Sequence, residues 1–107
     1  MPDPDFQFAA LSGEVLERQP FPARVGNIAV LLCRFEGKVF ALENCCSHAD
    51  QPLAGGVVRN GWIACPFHGS RFDLATGEPL NPPATCPVRT FAAREADGAI
   101  EVALGAC

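Results

Sequence analysis

Short segments of alternating or continuous apolar residues, separated by turn residues, run along most of this chain. Such segments are typical of β-strands, and no segment keeps a helical period over ten residues. Glu36-Gly37, Asn60-Gly61 and Asp97-Gly98 lie between them and predict tight hairpin turns. The predicted strands cover residues 6–10, 23–25, 28–35, 39–43, 57–59, 62–64, 88–94 and 99–104. The pattern therefore predicts an all-β fold.

The length of 107 residues favours a single domain, residues 1–107, with one core and no room for a second functional domain. The N-terminal stretch has no basic start followed by an apolar run, so it is not typical of a secretory signal. No stretch approaches the roughly eighteen apolar residues that a membrane span needs. We therefore expect a cytoplasmic protein without a membrane segment.

The formal net charge of −4 argues against a nucleic-acid partner, because nucleic acids bind basic surfaces. Acidity can favour docking to basic patches on partner proteins, where it mainly raises the rate of encounter. It can also serve solubility alone. The sequence leaves these two interpretations open.

Both histidines of the chain lie within three residues of a cysteine, in Cys46-Ser47-His48 and Cys65-Pro66-Phe67-His68. Two thiolates and two imidazoles in two loops predict a metal site. Structural zinc sites usually pair cysteine with cysteine and histidine with histidine, whereas each arm here is mixed. A mixed arm suits a two-iron, two-sulfide cluster with chemically unequal irons. The sixteen residues between His48 and Cys65 can form a hairpin that brings the arms together.

The stretch that contains these arms resembles the Rieske iron-sulfur proteins, whose pattern is C-x-H, a spacer of similar length, and C-P-x-H-G. The likeness continues through HGSRFDLATGEPL (68–80) and NPPATCPVRTF (81–91), the latter similar to the family's proline loop. The resemblance implies the Rieske iron-sulfur fold, an antiparallel β-sandwich base with a small inserted cluster-binding subdomain at about 44–84. It also implies a Rieske 2Fe-2S cluster, with the ligands Cys46, His48, Cys65 and His68.

One ambiguity concerns the first arm, because Cys45 also precedes His48 and would give C-x-x-H. The family pattern favours Cys46 as the ligand. Cys33, Cys45, Cys86 and Cys107 then lie outside the ligand set. Without an export signal, thiols are favoured over disulfides for the cysteines of such a chain.

Several residues around the arms have expected supporting roles. Gly55-Gly56 and Gly69 are expected to permit close backbone approach to the cluster, where backbone N–H groups can bond to sulfide. By the resemblance, Pro66, Phe67 and the loop at 82–83 are expected to keep water from the cluster, while the outer edges of the two imidazoles face solvent and pass the electron.

Departures from the high-potential members of the family bear on the reduction potential. Those members have a further cysteine in each arm, which form a disulfide, and a serine and a tyrosine that donate to cluster sulfurs. Gln51 and Phe67 occupy the cysteine positions here, Phe72 occupies the tyrosine position, and Ser70 retains the serine. With fewer donors to the cluster we predict a potential near the low end of the Rieske range, about −150 mV.

The chain resembles most closely the Rieske-type ferredoxins of bacterial aromatic-ring-hydroxylating dioxygenases. This implies a monomeric one-electron carrier between a flavin NAD(P)H-dependent ferredoxin reductase and a terminal Rieske non-haem iron oxygenase. An oxygenase site needs further histidines and a carboxylate, and a reductase needs a nucleotide fingerprint such as G-x-G-x-x-G. The sequence has no histidine beyond the two in the arms, and it has no G-x-G-x-x-G fingerprint. It is therefore expected to be an electron-transfer component and not an enzyme.

Three alternative functions remain open at the level of the sequence. The chain could be the small Rieske-like subunit of an assimilatory nitrite reductase, although some such subunits lack the complete ligand set. It could use the cluster as a redox sensor. It could instead bind zinc through the same cysteines and histidines and act as a docking module.

Overall fold

The computed structural model describes residues 6–45, 52–67, 69–82, 84 and 86–104. Within these residues there are nine β-strands, one short 3-10 helix at Ser12–Glu14 and no α-helix, so none of them forms a helix that could cross a membrane. The strands are β1 (Phe6–Leu11), β2 (Phe21–Val25), β3 (Ile28–Phe35), β4 (Lys38–Glu43), β5 (Val57–Arg59), β6 (Trp62–Ala64), β7 (Arg71–Asp73), β8 (Thr90–Ala96) and β9 (Ala99–Ala103). The all-β prediction is confirmed.

Most strand bounds agree with the sequence pattern. β3, β5 and β6 have the predicted limits, and β1, β4 and β9 differ by one residue at one end. β2 begins two residues earlier than predicted and includes Pro22, which an edge strand tolerates because one side of it needs no N–H donor. β8 begins and ends two residues later than predicted. β7 was not predicted because, unlike the equally short β5 and β6, it is not flanked by an Asn-Gly or Asp-Gly turn.

The three predicted hairpin turns have the backbone conformation that tight turns require. Asn60 and Gly61 have φ angles of 48° and 83°, both in the left-handed region. The turns at 36–37 and 97–98 also have positive φ at both positions. This is typical of type I′ turns, whose twist matches that of the flanking strands.

The larger sheet is antiparallel and has the strand order β1-β9-β8-β4-β3-β2. β1 also contacts β2, the strand at the opposite end of this order, so the sheet curls around its own core. The smaller sheet, β5-β6-β7, lies between β4 and β8 in the chain, and β4 and β8 pair with each other. This topology suits the expected insertion, whose limits of about 44–84 remain a prediction.

Strand β3 is buried on both faces, because alternate residues of a strand point to opposite sides. Val30 and Leu32 pack in the core of the curled sheet, whereas Leu31 and Cys33 pack in a second core. This second core also contains Leu42 from β4 and residues from the small sheet and the loops around it, namely Leu53, Val58, Ile63, Cys65, Phe72, Leu74, Ala84 and Val88. β3 therefore fixes the small sheet to the base of the fold.

Arg34, near the end of β3, links three parts of the base. Its guanidinium binds the Glu95 carboxylate at 3.0 and 2.8 Å and donates to the carbonyl oxygens of Ser12 and Val15 at 3.2 and 2.8 Å. The bonds from Arg34 hold the pKa of Glu95 below its usual value. Arg34 thereby ties the connection after β1 to β3 and β8.

The buried thiol of Cys33 should make the free energy of unfolding depend on pH in the alkaline range. Burial raises the pKa of its thiol from 9.0 to about 12. The folded chain thus keeps the thiol neutral in a range where the unfolded chain ionises it, so stability is complete below pH 9 and falls as the pH rises toward 12. We expect the free energy of unfolding to fall by up to about 1.4 kcal/mol per pH unit from this group. Urea unfolding at several pH values measures this.

The matched control for Cys33 is Cys33→Ala, which retains every other group that titrates above pH 9. The difference in unfolding free energy between the two proteins isolates the thiol. We expect this difference to change steadily with pH above 9. Parallel pH profiles for the two proteins would contradict the assigned burial effect.

Candidate metal centre

The first arm leaves the large sheet at the end of β4, and a single side chain joins its two ends. The Asn44 N–H donates to the carbonyl of Ala29 at 2.9 Å, which holds the start of the arm against β3. Asn44 Oδ1 accepts the N–H groups of Leu53 and Ala54 at 2.8 and 3.0 Å. Asn44 therefore joins the two ends of the first arm. The predicted ligands Cys46 and His48 are in this arm, outside the described residues.

The returning side of the first arm lies against the start of the second. The Gly56 N–H donates to the carbonyl of Leu53 at 2.9 Å. A Cβ atom at Gly56 would lie 2.2 Å from the carbonyl oxygen of Ala64, closer than any side chain can approach. The sequence predicted close approach to the cluster for Gly55-Gly56, which stays a prediction; the structure shows that Gly56 lies close to protein backbone. Since Ala64 precedes Cys65, the two arms meet at their bases.

The second arm is a tight loop that begins where β6 ends. The Cys65 N–H donates to the carbonyl of Ser70 at 2.7 Å, and the Gly69 N–H donates to the carbonyl of Cys65 at 3.0 Å. Cys65 is 2% exposed, whereas Phe67 is 54% exposed. The loop thus has a buried cysteine at its base and an exposed tip. His68 follows Phe67 and is outside the described residues.

Among the described residues no group of three or more histidine, cysteine or acidic side chains could hold a metal, and three of the four predicted ligands lie outside that part of the chain. The surroundings of the fourth do fit the cluster. Cys65 lies in one apolar core with Leu53 from the first arm and Ala84 from the proline loop. A cluster of two ferric ions, two sulfides and two thiolates has no formal charge, which an apolar environment tolerates better than a bare cation.

Two residues that hold the arms, Asn44 and Asn81, were not identified from the sequence. Asn44 closes the first arm, and Asn81 bonds to the backbone just after the second arm. One sequence feature could have indicated Asn81: it precedes two prolines, which have no N–H, so a side chain must supply hydrogen bonds at that point. Asn44 has no proline after it and no comparable sequence feature beside it.

Trp62 lies on the outer face of the small sheet. Its ring contacts the Arg71 guanidinium at 5.1 Å from the ring centroid, across the β6–β7 pair. The side chain is partly buried. Its partial burial and its place in β6 suit a packing role within the strand.

Gly56 offers a test of how the arms are joined. In Gly56→Ala the new methyl group collides with the Ala64 carbonyl, so one arm must move relative to the other. We expect the free energy of unfolding to fall by about 1–3 kcal/mol, measured by urea unfolding, together with loss of bound iron. The control is Gly13→Ala, because a Cβ at Gly13 meets nothing within 4 Å. Equal stability and iron content in both variants would show that this contact does not join the arms.

Comparison with known proteins identifies the family of the chain. Residues 5–92 match the model of the Rieske [2Fe-2S] domain. The chain is 35% identical to the anthranilate 1,2-dioxygenase ferredoxin subunit of Burkholderia cepacia, over 86% of this chain and 85% of that protein.

Solved structures agree in fold. The ferredoxin of carbazole 1,9a-dioxygenase from Nocardioides aromaticivorans superposes with a TM-score of 0.87 and 32% identity, over 92% of this chain and 96% of that one. A chain from a complex of reduced oxygenase and oxidized ferredoxin in carbazole 1,9a-dioxygenase has a TM-score of 0.84 at 26% identity, with 94% of each chain covered. The architecture, the meeting of the two arms and these matches together show that the chain belongs to the Rieske [2Fe-2S] domain family.

Proposed function

We propose that this chain is a one-electron carrier that takes electrons from a flavin NAD(P)H-dependent ferredoxin reductase and delivers them to the terminal oxygenase of an aromatic-ring dioxygenase system. The observation that carries the proposal is the close contact between Gly56 and Ala64, which brings the first arm next to Cys65. The ferredoxin components matched along most of their length support it. The proposed setting is the cytoplasm, with the carrier as a monomer.

The proposed ligands are Cys46, His48, Cys65 and His68, with each arm giving a cysteine to one iron and a histidine to the other. A cluster held in this way accepts one electron reversibly. Neutral imidazoles in place of two thiolates leave the oxidised cluster without formal charge, so the added electron meets less repulsion. The chain supplies the apolar surroundings of Cys65, which keep water from that side.

The end of the fold that bears the second arm also has exposed apolar side chains. Phe67 is in the arm and is 54% exposed. Val57 pairs with Ala64 beside the arm and is 50% exposed, and Leu80, bonded to the backbone of Arg71, is 51% exposed. Exposed apolar residues next to a redox centre suit transient docking to a partner protein. We propose that the oxygenase binds this end.

A potential near the low end of the Rieske range follows from the same site. Phe72 is fully buried in the core beside Cys65 and has no hydroxyl to donate to the cluster. The proposed value stays at about −150 mV. A redox titration that gives a value above about +100 mV would contradict it.

Reconstitution tests the proposed function. The purified chain is mixed with a flavin NADH-dependent ferredoxin reductase and the oxygenase component of an anthranilate 1,2-dioxygenase, and NADH oxidation is followed with the aromatic substrate. We expect oxidation that depends on the added chain and is absent with Cys65→Ser. A chain that accepts electrons from the reductase but passes none to an oxygenase, and instead supports nitrite reduction, would contradict the proposal.

A further inference from the structure

The segment that follows the small sheet cannot continue its backbone hydrogen bonds, because the prolines at 82–83 have no N–H to donate. Before the prolines this segment runs alongside β7. The Asp73 N–H donates to the carbonyl of Glu78 at 3.0 Å, and the Leu80 N–H donates to the carbonyl of Arg71 at 2.7 Å. The backbone pairing therefore stops beside Arg71, at the start of β7.

The side chain of Asn81 extends this pairing toward the second arm. Its Oδ1 accepts the Arg71 N–H at 2.6 Å, and its Nδ2 donates to the carbonyl of Gly69 at 3.3 Å. A carboxamide has an N–H donor and a carbonyl acceptor, like a peptide group. The Asn81 side chain thus replaces the peptide unit that the prolines cannot supply. Its two bonds reach the backbone on both sides of Ser70.

Ser70 makes the next link between the same two segments. It is fully buried, and its Oγ accepts the Ala84 N–H at 3.2 Å. Ser70 is the one buried polar or charged side chain recorded in the part of the chain that the structure describes. Ala84 follows the prolines directly. Residues 69, 70 and 71 are therefore each bonded to the segment 80–84.

We propose that Asn81 is a positioning residue for the second arm. The arm is closed at its base by the bonds between Cys65 and residues 69–70, and Asn81 fixes that base from outside. The Gly69 carbonyl belongs to the residue directly after His68. Holding this carbonyl fixes the backbone directly after the proposed ligand His68, while the bond from Ala84 to Ser70 ties the residue after the prolines to the same base. This inference rests on the proposed binding of the cluster by these arms.

The first test is Asn81→Ala, which removes both bonds to the arm. The variant is purified with its cluster, and two quantities are measured: the rate at which iron is released to a chelator, and the reduction potential. We expect release about tenfold faster than in the wild type, as for other residues that orient metal ligands. We expect a higher potential, because water admitted to the site stabilises the added negative charge.

The matched control is Asn27→Ala. Asn27 is exposed in the turn between β2 and β3, and its carbonyl, which the substitution retains, accepts the hydrogen bond that Arg24 donates. The control therefore deletes the same side chain at a position for which the described hydrogen bonds show no link to the second arm. We expect its iron release and its potential to equal those of the wild type.

A second variant, Asn81→Asp, keeps the acceptor for the Arg71 N–H but loses the donor to Gly69 and adds a negative charge. We expect iron release between that of the wild type and that of Asn81→Ala. The potential should move below that of the wild type, because the new charge opposes the added electron. Opposite shifts in the two variants distinguish positioning of the site from a general loss of stability.

The inference is overturned if both Asn81 variants match Asn27→Ala in iron release and in potential. If Asn81→Ala retains no cluster, Asn81→Asp decides, and wild-type iron release in that variant overturns the inference. Each of these two outcomes is read against a wild-type chain that holds its cluster. A wild-type chain that contains no iron or sulfide would instead contradict the proposed function, so the two failures are distinguishable.

Discussion

Cys65→Ser gives a colourless chain without bound iron or acid-labile sulfide. The reason is that a serine hydroxyl is a much weaker ligand for iron than a thiolate, and Cys65 is buried at the base of a loop that backbone hydrogen bonds hold in place. Iron and sulfide analysis, together with the visible spectrum, measures the effect. A Cys65→Ser protein with full iron and sulfide would contradict the proposed ligand set.

The same measurement decides which cysteine of the first arm is a ligand. We expect Cys46→Ser to lose the cluster and Cys45→Ser to retain it. The Cys45 variant is the matched control, since the substitution is the same and the position is the neighbouring one. Loss of the cluster in Cys45→Ser alone would assign the ligand to Cys45 and the spacing C-x-x-H.

Replacing both imidazoles by thiolates, in the double variant His48→Cys and His68→Cys, should lower the reduction potential strongly. The four-thiolate cluster carries two more negative charges than the proposed one, so an added electron costs more. We expect the potential to fall from about −150 mV to about −400 mV, the value typical of plant-type ferredoxins. Redox titration followed by visible absorbance measures it.

The single variant His68→Cys serves as the comparison for the double one. It adds one negative charge, so its potential should lie between the two values. Potentials that stay at the wild-type value in both variants would show that the histidines are not cluster ligands. A Gly13→Ala chain, changed where a Cβ atom meets nothing within 4 Å, should keep the wild-type potential.

The sequence predicted the features of the fold that depend on local physics. Long β-branched and apolar runs such as β3 and short Asn-Gly or Asp-Gly turns determine strands and hairpins through burial and backbone angles that neighbouring residues specify. β3 was predicted with its observed limits for this reason. The family of the chain was also predicted, because the spacing of cysteine and histidine in two arms is highly specific.

Other features depend on contacts between distant residues, which no local pattern records. β7 has no Asn-Gly or Asp-Gly turn beside it and is stabilised by pairing with β6, so its sequence alone showed no strand. The two asparagines act on backbone groups nine to twelve residues away. Close approach was expected near the cluster at Gly55-Gly56, yet the atom that Gly56 approaches is the carbonyl of Ala64. Such partners become known only when the chain is folded.

The most direct test of the account is a stoichiometric reduction of the purified chain. Iron and acid-labile sulfide are determined on the same sample that is titrated anaerobically with dithionite while the visible colour is followed. The account predicts about two irons and two sulfides per chain, and bleaching complete after about one electron per chain and reversed by oxidation. A chain that binds zinc without sulfide, or whose colour does not respond to dithionite, would contradict it.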